Sequence, residues 1–106
     1  MSMIKKDAGL PIRSEYIAWT EFLELTGVLP ERLQELMEMG WIAPRRIGAD
    51  SYLFRGLDIY RVRKLERICG DFELPVVGGT IIVDLLERID ALERTVRELN
   101  RLAEIK

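Results

Sequence analysis

Residues 80–105 contain no Gly or Pro and are rich in strong helix formers. Apolar residues recur along them at alternating steps of three and four: Ile82, Leu85, Ile89, Leu92, Val96, Leu99 and Ala103. With Ile82 taken as a heptad a position, Ile89 and Val96 fall on the next a sites and Leu85, Leu92 and Leu99 on d. Such a helix is made to lie against another helix. The other segments are too short to cover a rod this long, so a second copy of the chain is expected there. Ile82, Leu85, Ile89, Leu92, Val96 and Leu99 are then the dimer interface. β-Branched a residues with Leu at d favour a parallel pair, whereas Ile81, Leu86 and Leu102 widen the apolar face beyond a simple two-stranded seam.

What the remaining residues can do is narrowed by composition. There is one cysteine, Cys69, and no histidine. An intrachain disulfide is excluded, no metal-ligand set of His and Cys exists, and His-based acid–base or nucleophile chemistry has no carrier. No cofactor and no enzymatic activity are expected. The net charge of −2 disfavours a protein that lives on nucleic acid, because phosphate neutralisation supplies most non-specific affinity. No apolar run approaches the ~20 residues that span a bilayer, and no signal-peptide core follows the start, so the cytoplasm is the expected compartment.

In chain order, residues 1–14 show no period and read as a flexible leader, with a short edge strand near Tyr16–Ile17. Thr20 is the expected N-cap of a short helix over 21–25 that ends at Gly27. Pro30, at a first helical position, opens a second helix that stops at Gly40, which makes a helix-turn-helix. Leu33, Leu36 and Met37 form its buried stripe; Glu31, Arg32, Glu35 and Glu38 face outward with Met39. Trp41 is expected to pack back on this helix as a C-cap contact. Residues 45–55 read as a hairpin with its tip at 48–51, that is, a wing. A third helix spans 57–70, buried through Ile59, Val62, Leu65, Cys69 and then Phe72, and ends at Gly70. After the elbow at 71–75 the long helix begins between Pro75 and Thr80. The fold class is therefore mainly α: a winged helix-turn-helix over 15–74 and a coiled-coil dimerisation helix over 75–106.

Two surfaces of the winged domain are candidate sites. A winged helix-turn-helix places its second helix in the DNA major groove. Here that helix exposes Glu31, Glu35 and Glu38 against a single Arg32, the wrong sign for phosphates. The same carboxylates, rimmed by Met39 and Trp41, suit a basic helix of a protein partner, although a solubilising face with Trp41 in the core explains them too. The basic stripe Tyr60, Arg63, Lys64 and Arg67 is a solvated face, partly paired with acids such as Glu66, or a contact for an acidic partner or for phosphate beside Arg45, Arg46 and Arg55. Trp19, Phe22 and Phe54 read as core, Cys69 as an inert core thiol, and Gly78-Gly79 as a bend or a site of close helix packing.

The spacing from Gly27-Val28-Leu29-Pro30 through Gly40, Pro44, the wing, Asp58 and the third helix resembles that of MerR-type regulators. More narrowly, Tyr16 to Phe22, Glu31 to Leu36, Phe54 to Arg61, Asp71 to Leu74 and Asp84 to Ile89 resemble the chaperone-modulator family, CbpM. DNA-binding members of the wider group usually carry an Arg-Tyr-Tyr type triplet in the second helix, where this chain has Gln34-Glu35-Leu36. They also usually carry a Tyr-Arg pair in the wing, where it has Ser51-Tyr52. The narrower resemblance implies an adaptor that binds the J-domain of a CbpA- or DnaJ-like co-chaperone and inhibits its stimulation of DnaK. The alternative is a MerR-type DNA-binding transcriptional regulator. The wider resemblance also implies an antiparallel coiled coil, the orientation that the broadened apolar face favours.

Overall fold

The computed structural model describes residues 16–105, so the expected leader at 1–14 lies outside the described residues. The order of elements is β1 (Tyr16–Ala18), α1 (Trp19–Thr26), α2 (Pro30–Glu38), β2 (Arg45–Ile47), β3 (Ser51–Arg55), α3 (Gly56–Phe72) and α4 (Val76–Glu104). The three strands form one antiparallel sheet in the order β1-β3-β2. The wing hairpin β2–β3 pairs Arg45 with Leu53, Arg46 with Tyr52 and Ile47 with Ser51. β1 pairs along the other side of β3, Ile17 opposite Phe54. The chain is thus a mainly helical winged helix-turn-helix with a long C-terminal helix.

Local chemistry explains the turns. Gly27 takes a left-handed conformation (φ 72°) and its N–H donates to Leu23 O, ending α1. The Thr26 hydroxyl donates to Phe22 O at 2.8 Å and accepts from Val28 N–H at 3.3 Å, which steers the chain directly into Pro30. α2 closes with Gly40 (φ 77°): Gly40 N–H donates to Met37 O and Trp41 N–H to Leu36 O, both at 3.0 Å, the two bonds of a Schellman motif.

Two boundary expectations and one burial expectation are corrected. α1 begins at Trp19, with Ala18 rather than Thr20 at the N-cap position. The cause is β1, whose pairing keeps the backbone extended through Ala18. α3 runs through Gly70 to Phe72 and is terminated by Glu73 in a left-handed conformation (φ 53°). Glu73 and Leu74 both donate their N–H to Cys69 O, so the terminating bonds form three residues later than the glycine suggests. Phe72, expected in the core, is 69% exposed, because the chain turns away at Pro75 and α4 covers only the preceding turns.

The core is one cluster: Phe22, Val28, Leu33, Leu36, Ile42, Phe54, Ile59, Val62, Leu65, Cys69, Val76 and Val83. Phe22 stacks on Phe54 with centroids 4.3 Å apart and locks α1 to the sheet. α4 joins this core only through its first turns, where Val76, Gly79, Thr80 and Val83 are buried. Gly79 is the point of closest approach. A Cβ there would collide with Cys69 Sγ and lie 2.8 Å from Leu65 Cδ1. Gly78 faces open space, so the close-packing role expected of the pair belongs to Gly79 alone. From Asp84 onward every described residue of α4 is exposed. The Cα radius of gyration is accordingly 16.9 Å, against about 13 Å for a compact chain of this length.

Candidate functional site

The face of α2 follows from its own sequence. Pro30 presets the first helical turn, and burial of Leu33 and Leu36 fixes the rotation of the helix. Glu31, Gln34, Glu35 and Glu38, spaced at three and four residues, are thereby turned outward together. The helix's one base does not join them freely. Arg32 donates to Glu66 of α3 at 2.9 Å and lies 3.6 Å from Glu35, so it is drawn back toward the domain. Three carboxylates therefore dominate the exposed side of the second helix of the helix-turn-helix. Met39, 41% exposed, stands just past its end.

Beside the carboxylates lies a shallow groove of about 420 Å³ lined by Trp19, Pro30, Glu31, Gln34, Glu35 and Glu38. Its aromatic wall is Trp19, the first residue of α1, and not Trp41. Trp19 is half-buried, and its ring is braced against Tyr52 and Phe54 at centroid distances of 6.3 and 6.1 Å. The sequence alone groups this indole with Phe22 and Phe54 as core. Its place at the start of the helix, where packing is incomplete, is the available sign that one side stays open.

Trp41 goes elsewhere. Its backbone completes the α2 cap as expected, but its indole does not pack back on α2 alone. Nε1 donates to Asp84 Oδ1 of α4 at 2.9 Å, and the Arg61 guanidinium lies over the ring at 4.1 Å. Arg61 also donates to Asp84 at 2.9 Å, to Glu87 at 3.0 Å and to the Trp41 carbonyl at 3.2 Å. This latch ties α3, the α2–β2 connection and the base of α4 together and fixes the direction in which α4 leaves.

The basic stripe holds together on α3: Tyr60 is 56% exposed, Arg63 and Arg67 are exposed and Lys64 is half-buried. Glu66, expected to neutralise it, instead serves Arg32. Among the described residues no ion pair involves Arg63, Lys64 or Arg67. The wing bases are engaged within the chain. Arg45 lies over the Tyr16 ring, Arg46 over the Tyr52 ring, and Arg55 lies 3.7 Å from the buried Asp58. On α4, Leu85, Ile89, Leu92, Val96 and Leu99 are each between 49% and 59% exposed, while Ile82 is half-buried where the helix still touches the domain. Cys69 is buried against Pro75 and Gly79 and contributes to none of these faces.

A family model described as MerR HTH family regulatory protein matches residues 17–101, from β1 to near the end of α4. The chain belongs to the MerR HTH family. The match takes in the helix-turn-helix, the wing, α3 and the projecting helix, so each surface described above lies on the MerR framework and not on an appended segment. In this MerR chain the second helix of the helix-turn-helix exposes Glu31, Glu35 and Glu38. Among the described residues no helix is long and apolar enough to cross a membrane.

Proposed function

We propose that this MerR chain is a chaperone modulator: it binds the J-domain of a CbpA- or DnaJ-like co-chaperone and thereby inhibits stimulation of DnaK. The observation that carries the reading is the sign of α2. A major-groove helix works beside phosphates, yet here Glu31, Glu35 and Glu38 are exposed and Arg32 is held by Glu66. Those carboxylates suit a basic helix, the surface by which a J-domain docks on DnaK, and its capture would keep it from DnaK. Complementary charge would chiefly speed association and set orientation, with apolar contact from Met39 and the Trp19 groove adding affinity. The segments quoted above that resemble the CbpM family support the same partner.

The chain acts as a homodimer in this proposal. The apolar seam of α4 is about half exposed in one copy, and a second α4 is its natural cover. An antiparallel pair centred between Asp90 and Ala91 sets a residues against d residues: Ile82 opposite Leu99, Val96 opposite Leu85, and Ile89 opposite Leu92. It also brings Ile81 near Leu102, two of the apolar residues outside the two-stranded seam.

A second reading, DNA binding, is favoured by the stripe of Arg63, Lys64 and Arg67, which no carboxylate of the described residues neutralises. Titration calorimetry of the chain with a purified J-domain protein, with DnaK ATPase stimulation followed in parallel, separates the two. Binding tighter than about 10 μM with suppressed stimulation supports the modulator. No heat at that concentration, together with salt-dependent shifting of a specific operator fragment, establishes the regulator instead.

A further inference from the structure

We infer that the groove between α1 and α2 is a receptor for an arginine side chain carried on a basic helix of the partner, a deepening that rests on the protein-binding function proposed above. Its wall is the half-buried Trp19 with Pro30, and its rim is Glu31, Gln34, Glu35 and Glu38. A planar guanidinium stacks on an indole and bonds carboxylates through a fixed fork of donors. A lysine ammonium is compact, more strongly hydrated and gains less from the ring. Trp19 is held in place by Tyr52 and Phe54, so its side of the receptor is formed before any ligand arrives.

The molecule contains a filled example of the same chemistry. Arg61 lies 4.1 Å over the Trp41 ring while bonding Asp84 and Glu87, two carboxylates three residues apart on one helix. Glu35 and Glu38 repeat that spacing on α2, beside a second indole. What differs is the guanidinium: Arg61 supplies it within the chain at Trp41, whereas among the described residues no arginine lines the Trp19 groove, and Arg32, which bonds Glu66, approaches Glu35 only to 3.6 Å. The groove thus asks for arginine from outside, and charge complementarity selects a basic helix to carry it.

The chain has two tryptophans, so Trp41→Phe in the full-length protein leaves Trp19 as the sole tryptophan fluorophore while keeping a ring under Arg61. This variant is titrated with an amphipathic helical peptide bearing arginines, with the same peptide bearing lysines, and with the J-domain protein. In the wild type, the Trp19 indole N–H resonance gives the same readout should Trp41→Phe fold poorly. The expected result is a saturable Trp19 response to the arginine peptide at about tenfold lower concentration than to the lysine peptide, abolished by Gln34→Lys. Equal titration by both peptides, or binding with a silent Trp19, overturns the inference. J-domain binding that leaves Trp19 unchanged removes the receptor and keeps the modulator reading. An arginine-selective Trp19 response without J-domain binding keeps the receptor and removes that partner.

Discussion

Adjacent glycines in α4 should respond to alanine with opposite signs. At Gly78 a Cβ meets nothing within 4 Å, so Gly78→Ala should stabilise by up to about 1 kcal/mol, the usual helix-propensity gain. Gly79→Ala receives the same gain but drives its methyl into Cys69 Sγ and to 2.8 Å from Leu65 Cδ1. Neither neighbour yields cheaply: Leu65 is fully buried and Cys69 is 8% exposed, both in the centre of the α3–α4 contact. Overpacking a close-packed core costs about 1–3 kcal/mol, which matches or exceeds the propensity gain. Because both variants share the propensity gain, they should differ by the overpacking cost, about 1–3 kcal/mol, and at equal protein concentration their melting temperatures by ~4–20 °C. Urea unfolding followed by circular dichroism measures the difference. Cys69→Ala removes one of the colliding atoms, so combining it with Gly79→Ala should recover part of the loss, a coupling of about 0.5–3 kcal/mol. If Gly79→Ala proves as stable as Gly78→Ala, α4 does not sit on α3 as described, and the placement of the projecting helix falls with it.

The remaining predictions concern the latch and the seam. Arg61→Ala removes a cation–π contact and two partly exposed ion pairs, so unfolding should ease by about 1–2 kcal/mol, with a red shift of Trp41 emission. An unshifted spectrum would mean that the guanidinium does not cover the ring. Leu92→Lys, in the middle of the exposed seam, should leave helix content intact while analytical ultracentrifugation reports a monomer; a monomeric wild type would remove the dimer altogether. Leu99→Cys alone should resist interchain oxidation in an antiparallel pair, where the two copies of residue 99 lie about 26 Å apart along the axis. Rapid crosslinking would indicate the parallel pair instead.

Much of the framework is readable because it is written in local chemistry. Gly27, Pro30 and Gly40 announce the helix-turn-helix through their backbone conformations, and the alternation of Tyr52, Leu53 and Phe54 announces the returning strand of the wing. The seam from Leu85 to Leu99 carries its period openly. What escapes is decided by residues far apart in sequence. Arg32 looks like part of an exposed face until Glu66, on another helix, claims it. Trp41 looks like a cap contact until Arg61, Asp84 and Glu87 arrive from two other helices. Glycine at 70 signals a helix end, but the carbonyl of Cys69 is satisfied by Glu73 and Leu74, so the helix runs on. Trp19 reads as core alongside Phe22 and Phe54, while the groove it shares with α2 depends on the angle between two helices. No local period encodes that angle.

Whether the acidic face of α2 receives a protein and not DNA is the central question. It is tested most directly by reversing Glu31, Glu35 and Glu38 to Lys together and titrating a purified J-domain protein into wild type and variant. These side chains are exposed, so circular dichroism should show an unchanged fold. J-domain affinity should fall at least about 30-fold, some 2 kcal/mol across three reversed charges, with most of the change in association rate at low salt. Unchanged J-domain affinity in a folded variant would contradict the proposed role of this face.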